Sequence, residues 1–88
     1  MEIRYSNTAQ EHRKLWKKSG QVKTMKRISD LIEDIEMHPT TGKGKPEQLK
    51  YELSGVWSRE IDKKNRIAYE IHEDHVMVLA MIGHYGDK

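Results

Sequence analysis

Eighty-eight residues, 35% apolar and 34% charged with a net charge of +2, fit one small domain spanning residues 1–88 with a heavily solvated surface. A chain this short buries only about 60–65% of its unfolded surface, which leaves little room for a deep pocket and favours an open face or groove as the working part. The absence of cysteine excludes disulfides and thiolate metal sites, and no apolar run or N-terminal signal pattern suits a membrane or export, so a cytoplasmic protein is expected.

Ile3 and Tyr5 alternate with Glu2 and Arg4, a short strand pattern. Ser6 or Asn7 is placed to cap a helix, with Asn7 and Gln10 at capping-box spacing. Ala9, His12 and Trp16 fall on one face of that helix, and Lys17-Lys18-Ser19-Gly20 ends it. Val22, Met25, Ile28, Leu31, Ile32 and Ile35 then recur at three- and four-residue spacing, one apolar stripe of a second helix. His38-Pro39 stops it, because a residue before proline avoids the helical region. The short link between the helices predicts an antiparallel helix hairpin.

Residues 39–46 form a loop rich in proline, glycine and lysine. After it the apolar period changes from 3.6 to 2. Leu49, Tyr51 and Leu53 alternate, Ser54-Gly55 turns, and Trp57, Arg59 and Ile61 alternate next. Asp62 to Asn65 is a polar turn before Ile67, Tyr69 and Ile71. His72 to His75 turns again, and Val76 to Ile82 is the continuous apolar run expected of a central or fully buried strand. Short polar turns imply an antiparallel meander. The predicted architecture is α+β: an N-terminal strand and a two-helix hairpin packed on an antiparallel four- to five-stranded sheet. The helices should cover one sheet face, leaving the other partly open to carry Lys50 and Arg66.

Charge is segregated along the chain. Residues 1–29 hold eight Lys/Arg and two acids, and residues 37–66 hold seven and four, with the acidic run Asp30, Glu33, Asp34 and Glu36 between them. Two basic stretches suit a polyanion, although paired charges on a solvated surface explain them equally well. Five histidines raise the question of a metal, but His72 and His75 flank an acidic turn and no ligand set of recognised spacing exists. Gly42-Lys43-Gly44-Lys45 lacks the spacing of a Walker loop; a basic loop touching RNA phosphates fits better, through Lys43 and Lys45.

A dispersed set carries more information. Glu47 follows this loop, Lys50 lies on the first meander strand, Arg59 and Arg66 on the next two, and His84 and Tyr85 end the last. Each alone has an ordinary surface explanation. Together they fit phosphodiester cleavage by an internal 2′-hydroxyl, with no cofactor required. Glu47 would take the hydroxyl proton, Arg66 with Lys50 and Arg59 would stabilise the phosphorane, and His84 would protonate the leaving 5′-oxygen. Tyr85 would stack on a base or bond a phosphate.

The block Gly42-Lys43-Gly44-Lys45-Pro46-Glu47-Gln48-Leu49-Lys50, then Leu53-Ser54-Gly55-Val56-Trp57-Ser58-Arg59, Arg66-Ile67-Ala68-Tyr69 and His84-Tyr85 resemble the Txe/YoeB toxins of the RelE superfamily over nearly the whole chain. The resemblance implies a microbial RNase-like α+β fold and cleavage of mRNA in the ribosomal A site, blocking translation. It implies Glu47 as general base, Arg66 on the phosphate, and His84 as general acid beside Tyr85. It also implies a YefM-like antitoxin whose acidic, flexible segment wraps the toxin, and a toxin homodimer. Two departures stand out. The best-known member has a second arginine after Trp-Ser-Arg, where this chain has Glu60. That member also ends at the His-Tyr pair, whereas Gly86-Asp87-Lys88 follow here. A ParE-like toxin without RNA chemistry and a non-catalytic binding module are the competing readings; the former would not be expected to keep Glu47, Arg66 and His84.

Overall fold

The computed structural model describes residues 1–49 and 55–83. The element order is β1 (Glu2–Tyr5), α1 (Asn7–Ser19), α2 (Val22–Met37), β2 (Glu47–Gln48), β3 (Val56–Glu60), β4 (Arg66–Ile71) and β5 (His75–Ala80). Ser6 starts α1: its hydroxyl accepts the Ala9 N–H at 3.0 Å, which satisfies one of the helix's orphan donors. Gly20 ends α1 in the left-handed region (φ 71°), and Gln21 opens α2 directly after it.

The five strands form one sheet in the order β1-β5-β4-β3-β2. β2, β3, β4 and β5 pair antiparallel, as a meander requires, but β1 lies parallel to β5 with Ile3 opposite Val76. The sheet is therefore mixed, not wholly antiparallel as the turn pattern predicted. The physical reason is connectivity: two helices separate β1 from the meander, and such a crossover returns the chain in either direction. The apolar run from Val76 onward supplies β5, an interior strand paired on both edges, while β4 is the middle strand of the sheet.

Both helices cover the same sheet face. Ala9 and Trp16 of α1, and Ile28, Leu31 and Ile35 of α2, pack with Ile67, Tyr69, Val76 and Val78 in one buried cluster. A smaller cluster of Val56, Ala68 and Ala80, with Leu49 and Leu79 against it, marks the opposite face. Side chains alternate between faces along a strand. Trp57, Arg59, Ile67 and Tyr69 thus point to the helices, and Val56, Ser58, Glu60, Arg66 and Ala68 to the open side. In β5 a register shift opposite Ala68 and Tyr69 pairs Tyr69 with Val78 and Ala68 with Ala80, leaving Leu79 as the extra residue of a bulge. Beyond it α1 grips the backbone of Met81 at both ends: the Trp16 indole donates to its carbonyl at 2.9 Å, and its N–H donates to His12 Nδ1 at 2.9 Å. Burial lowers the His12 pKa, so the ring is held as the neutral acceptor this bond needs.

Candidate active site

Three open-face residues meet where β2, β3 and β4 lie side by side. Glu47 is paired with Ser58, and the next open-face position on β3, Glu60, is paired with Arg66. Arg66 spans the gap diagonally. Its Nε donates to Ser58 Oγ at 3.0 Å, and its Nη2 lies 3.6 Å from a Glu47 carboxylate oxygen. Ser58 is fully buried, the Arg66 side chain is 18% exposed and that of Glu47 is 68% exposed. The result is a guanidinium fixed from below by a hydroxyl and a carboxylate left largely in solvent.

The segment that follows β5 also comes to this point. The Arg66 N–H donates to the Gly83 carbonyl at 2.9 Å, and the Gly83 N–H donates to Asn65 Oδ1 at 2.9 Å. Asn65 is itself held by the Asp62 carboxylate, so the β3–β4 turn and Gly83 are tied together. His84 and Tyr85, like Lys50, lie outside the described residues.

The lysine loop borders this face. Lys43 and Lys45 are both exposed, and Lys45 Nζ is 3.9 Å from the Glu60 carboxylate, an exposed pair of small energetic weight. Lys45 has a positive φ of 54°, unusual for a residue with a side chain.

Arg59 is elsewhere, which corrects its place among the RNA-contacting residues. It is fully buried on the helix face. Its guanidinium donates to Tyr69 Oη at 3.0 Å, to Asp34 Oδ2 at 2.5 Å and to the carbonyls of Lys43 (3.1 Å), Thr41 (2.8 Å) and His38. The cause is strand parity: Arg59 pairs with Ile67 and shares the face of Trp57. The Asp34 carboxyl is held below its usual pKa, first by the Lys43 N–H it accepts at 2.9 Å and then, against the opposing effect of burial, by Arg59. Burial raises the Tyr69 phenol, so it stays protonated and donates to the Pro39 carbonyl at 2.7 Å.

Ser58 is the residue sequence reasoning missed. The signal was there in the period of 2, which puts Ser58 on the face opposite Trp57 and in line with Arg66. The two turn histidines stack on one another at 4.6 Å and bond Glu70 and Asp74. Among the described residues no group of three or more His, Cys, Asp or Glu side chains is placed to hold a metal ion.

A mixed sheet with helices on one face and a Glu–Arg pair on the other defines a small α+β protein of RelE-like fold. Residues 5–85 match the model of the YoeB-like toxins of bacterial type II toxin–antitoxin systems, and the chain belongs to that family. Toxin YoeB of Streptomyces coelicolor is 40% identical over 85 residues, 97% of this chain and all of that protein. Toxin YoeB of Escherichia coli K12 is 35% identical over the same shares. Among solved structures, a YoeB/ParE toxin from Agrobacterium tumefaciens superposes with a TM-score of 0.90 at 28% identity, covering 97% of this chain and all of the other. YoeB of Staphylococcus aureus, 31% identical, covers 97% of this chain and 98% of its own, with TM-scores of 0.85 as a dimer and 0.83 in a heterotetrameric YoeB–YefM complex.

Proposed function

We propose that this toxin is an endoribonuclease that cuts mRNA in the ribosomal A site and so stops translation. The observation that carries the reading is the Arg66–Glu47 pair on the open face, 3.6 Å apart with Arg66 locked on Ser58. A solvent-exposed carboxylate beside a fixed guanidinium supplies the first two needs of cleavage by an internal 2′-hydroxyl. Glu47 takes the 2′-hydroxyl proton as that oxygen attacks the adjacent phosphorus. Arg66 stabilises the charge on the phosphorane, with Lys50 assisting. The bond to the 5′-oxygen then breaks, and His84 gives that oxygen a proton. The products are a 2′,3′-cyclic phosphate and a 5′-hydroxyl. Support for His84 in this role is that it follows Gly83, whose carbonyl accepts the Arg66 N–H. Tyr85 would stack on a base or bond a phosphate, and Lys43 and Lys45 would meet the RNA backbone.

An open face holds RNA loosely. The ribosome therefore has to bend and position the message, which is the step such a site cannot perform alone. The family and the YoeB–YefM complex of the Staphylococcus aureus relative support a YefM-like antitoxin as partner, and its YoeB dimer supports a homodimer. Acting on ribosomes places the toxin in the cytoplasm. No described helix is long and apolar enough to cross a membrane.

The test is a translation extract with mRNA ends mapped by primer extension. Wild type should give cuts at the A-site codon, and Glu47→Ala and His84→Ala should lose them while still binding antitoxin. Inhibited translation with intact message would favour a toxin that acts without RNA chemistry.

A further inference from the structure

We propose that Arg59 is a positioning residue, which fastens the 38–44 loop beneath the sheet and thereby fixes Glu47 against Arg66; this rests on the endonuclease reading. All five N–H donors of a guanidinium are available for bonding, and here the buried head makes five bonds. Three of the acceptors are carbonyls of one short stretch, His38, Thr41 and Lys43. Carbonyls that converge inward need a donor and a cation at their focus, and Arg59 supplies both. Asp34 balances the charge from the last turn of α2 and also takes the Lys43 N–H, so the loop is gripped by both members of the ion pair. With no exposed surface, Arg59 would have to abandon Asp34 and these oxygens to reach RNA.

The link to Glu47 is short. The Gly44 carbonyl accepts the Glu60 N–H at 2.7 Å, and Gly44 has no space for a side chain: a Cβ would sit 2.8 Å from Leu31 and 3.1 Å from Arg59. Lys45 and Pro46 then deliver the chain to Glu47. β2 follows at once and sets Glu47 opposite Ser58 and Gln48 opposite Trp57, so the anchored loop hands the chain straight into the register that places Glu47. The neighbours of Arg59 on β3, Ser58 and Glu60, face the other way, and Ser58 holds Arg66. Arg59 thus sets the loop from below while Ser58, the residue before it, sets the guanidinium above. Lysine keeps the charge but puts its donors on a single nitrogen, which cannot reach Tyr69, Asp34 and the loop carbonyls together.

The experiment compares wild type with Arg59→Lys in the whole toxin, using translating ribosomes below the variant's melting temperature, with amide hydrogen exchange in parallel. We expect the Lys43 and Glu60 amides to exchange at least about 10-fold faster while Val76 and Val78 keep their protection. We expect kcat to fall about 10–100-fold, with KM for ribosomes within about twofold of wild type. Full kcat in a variant with a loosened loop overturns the proposal, and so does a change confined to KM, which would make Arg59 a contact to RNA or ribosome. Should Arg59→Lys fail to fold, Tyr69→Phe removes one acceptor of Arg59 and the donor to Pro39; a smaller kcat loss is expected, and none overturns the proposal. Wild type that cuts no message defeats the endonuclease reading and the catalytic half of this one, whereas exchange still decides whether Arg59 pins the loop.

Discussion

Ser58→Ala isolates the contact that orients Arg66. The hydroxyl is fully buried and accepts the Arg66 Nε–H at 3.0 Å. Its removal leaves that donor facing a methyl group, on a side chain only 18% exposed, so water replaces the acceptor poorly. A hydrogen bond to a charged group contributes about 1.5–3 kcal/mol. Among the described residues Arg66 would then keep just the longer side-chain contact to Glu47, and its guanidinium would lose its aim at the phosphate. If most of the lost energy appears in the transition state, cleavage falls about 10–100-fold, since 1.4 kcal/mol is a factor of ten. Part of the loss falls on the fold, and a deficit of about 1 kcal/mol lowers Tm by about 4–8 °C in a domain this size. The assay is kcat/KM for message cleavage on translating ribosomes, beside a circular dichroism melt. Unchanged cleavage by folded Ser58→Ala would refute the reasoning, because Arg66 would then need no hydroxyl to hold it.

Other outcomes follow from the buried polar contacts. The folded-state pKa of His12 is lowered from 6.5 by burial, so the unfolded chain binds more protons. Stability should be full above pH 6.5 and decline as pH falls through the lowered value. A Tm that is flat in acid would contradict this, and His12→Asn, whose amide oxygen can accept the Met81 N–H, should flatten the profile. Asp34→Asn leaves the buried Arg59 cation without its counter-ion and should cost about 3–5 kcal/mol in urea unfolding. The Asp34 pKa is itself lowered from 3.8, so its contribution is complete above that value and lost as pH falls through the folded one. Trp16→Phe strips the indole donor from the Met81 carbonyl and should lower the urea midpoint by about 1–3 kcal/mol equivalent, with the m-value unchanged.

Much of the fold was legible because its elements obey simple periods. The stripe from Val22 to Ile35 gave α2, Gly20 gave the break, alternation gave β3 and β4, and the continuous apolar run from Val76 gave β5. Three features were less accessible. The parallel pairing of β1 depends on how two helices return the chain, which no local pattern encodes. The bulge at Leu79 is hidden inside a continuous apolar run, where every residue looks alike. Arg59 was misplaced for a different reason. Its own alternation with Trp57 and Ile61 put it on the buried face, but positive charge suggested phosphate and outweighed the parity. A buried arginine requires a nest of acceptors, and those come from Asp34, Tyr69 and the loop carbonyls, far apart in sequence. Arg66 differs by parity alone: it shares its face with Glu60 and Ser58, and with Glu47 across the sheet. Glu60, standing where the best-known relative has arginine, faces this same side and pairs with Lys45, so part of the loop's charge is already balanced.

The central claim is that Glu47 and Arg66 act on a 2′-hydroxyl of ribosome-bound message. The most direct test is a message carrying a single 2′-deoxy nucleotide 5′ to the scissile phosphate, programmed into the A site with wild-type toxin. Cleavage should vanish at that position, while the all-ribose message is cut to a 2′,3′-cyclic phosphate and a 5′-hydroxyl. Equal cleavage of the deoxy message, or products ending in a 3′-hydroxyl and a 5′-phosphate, would contradict it.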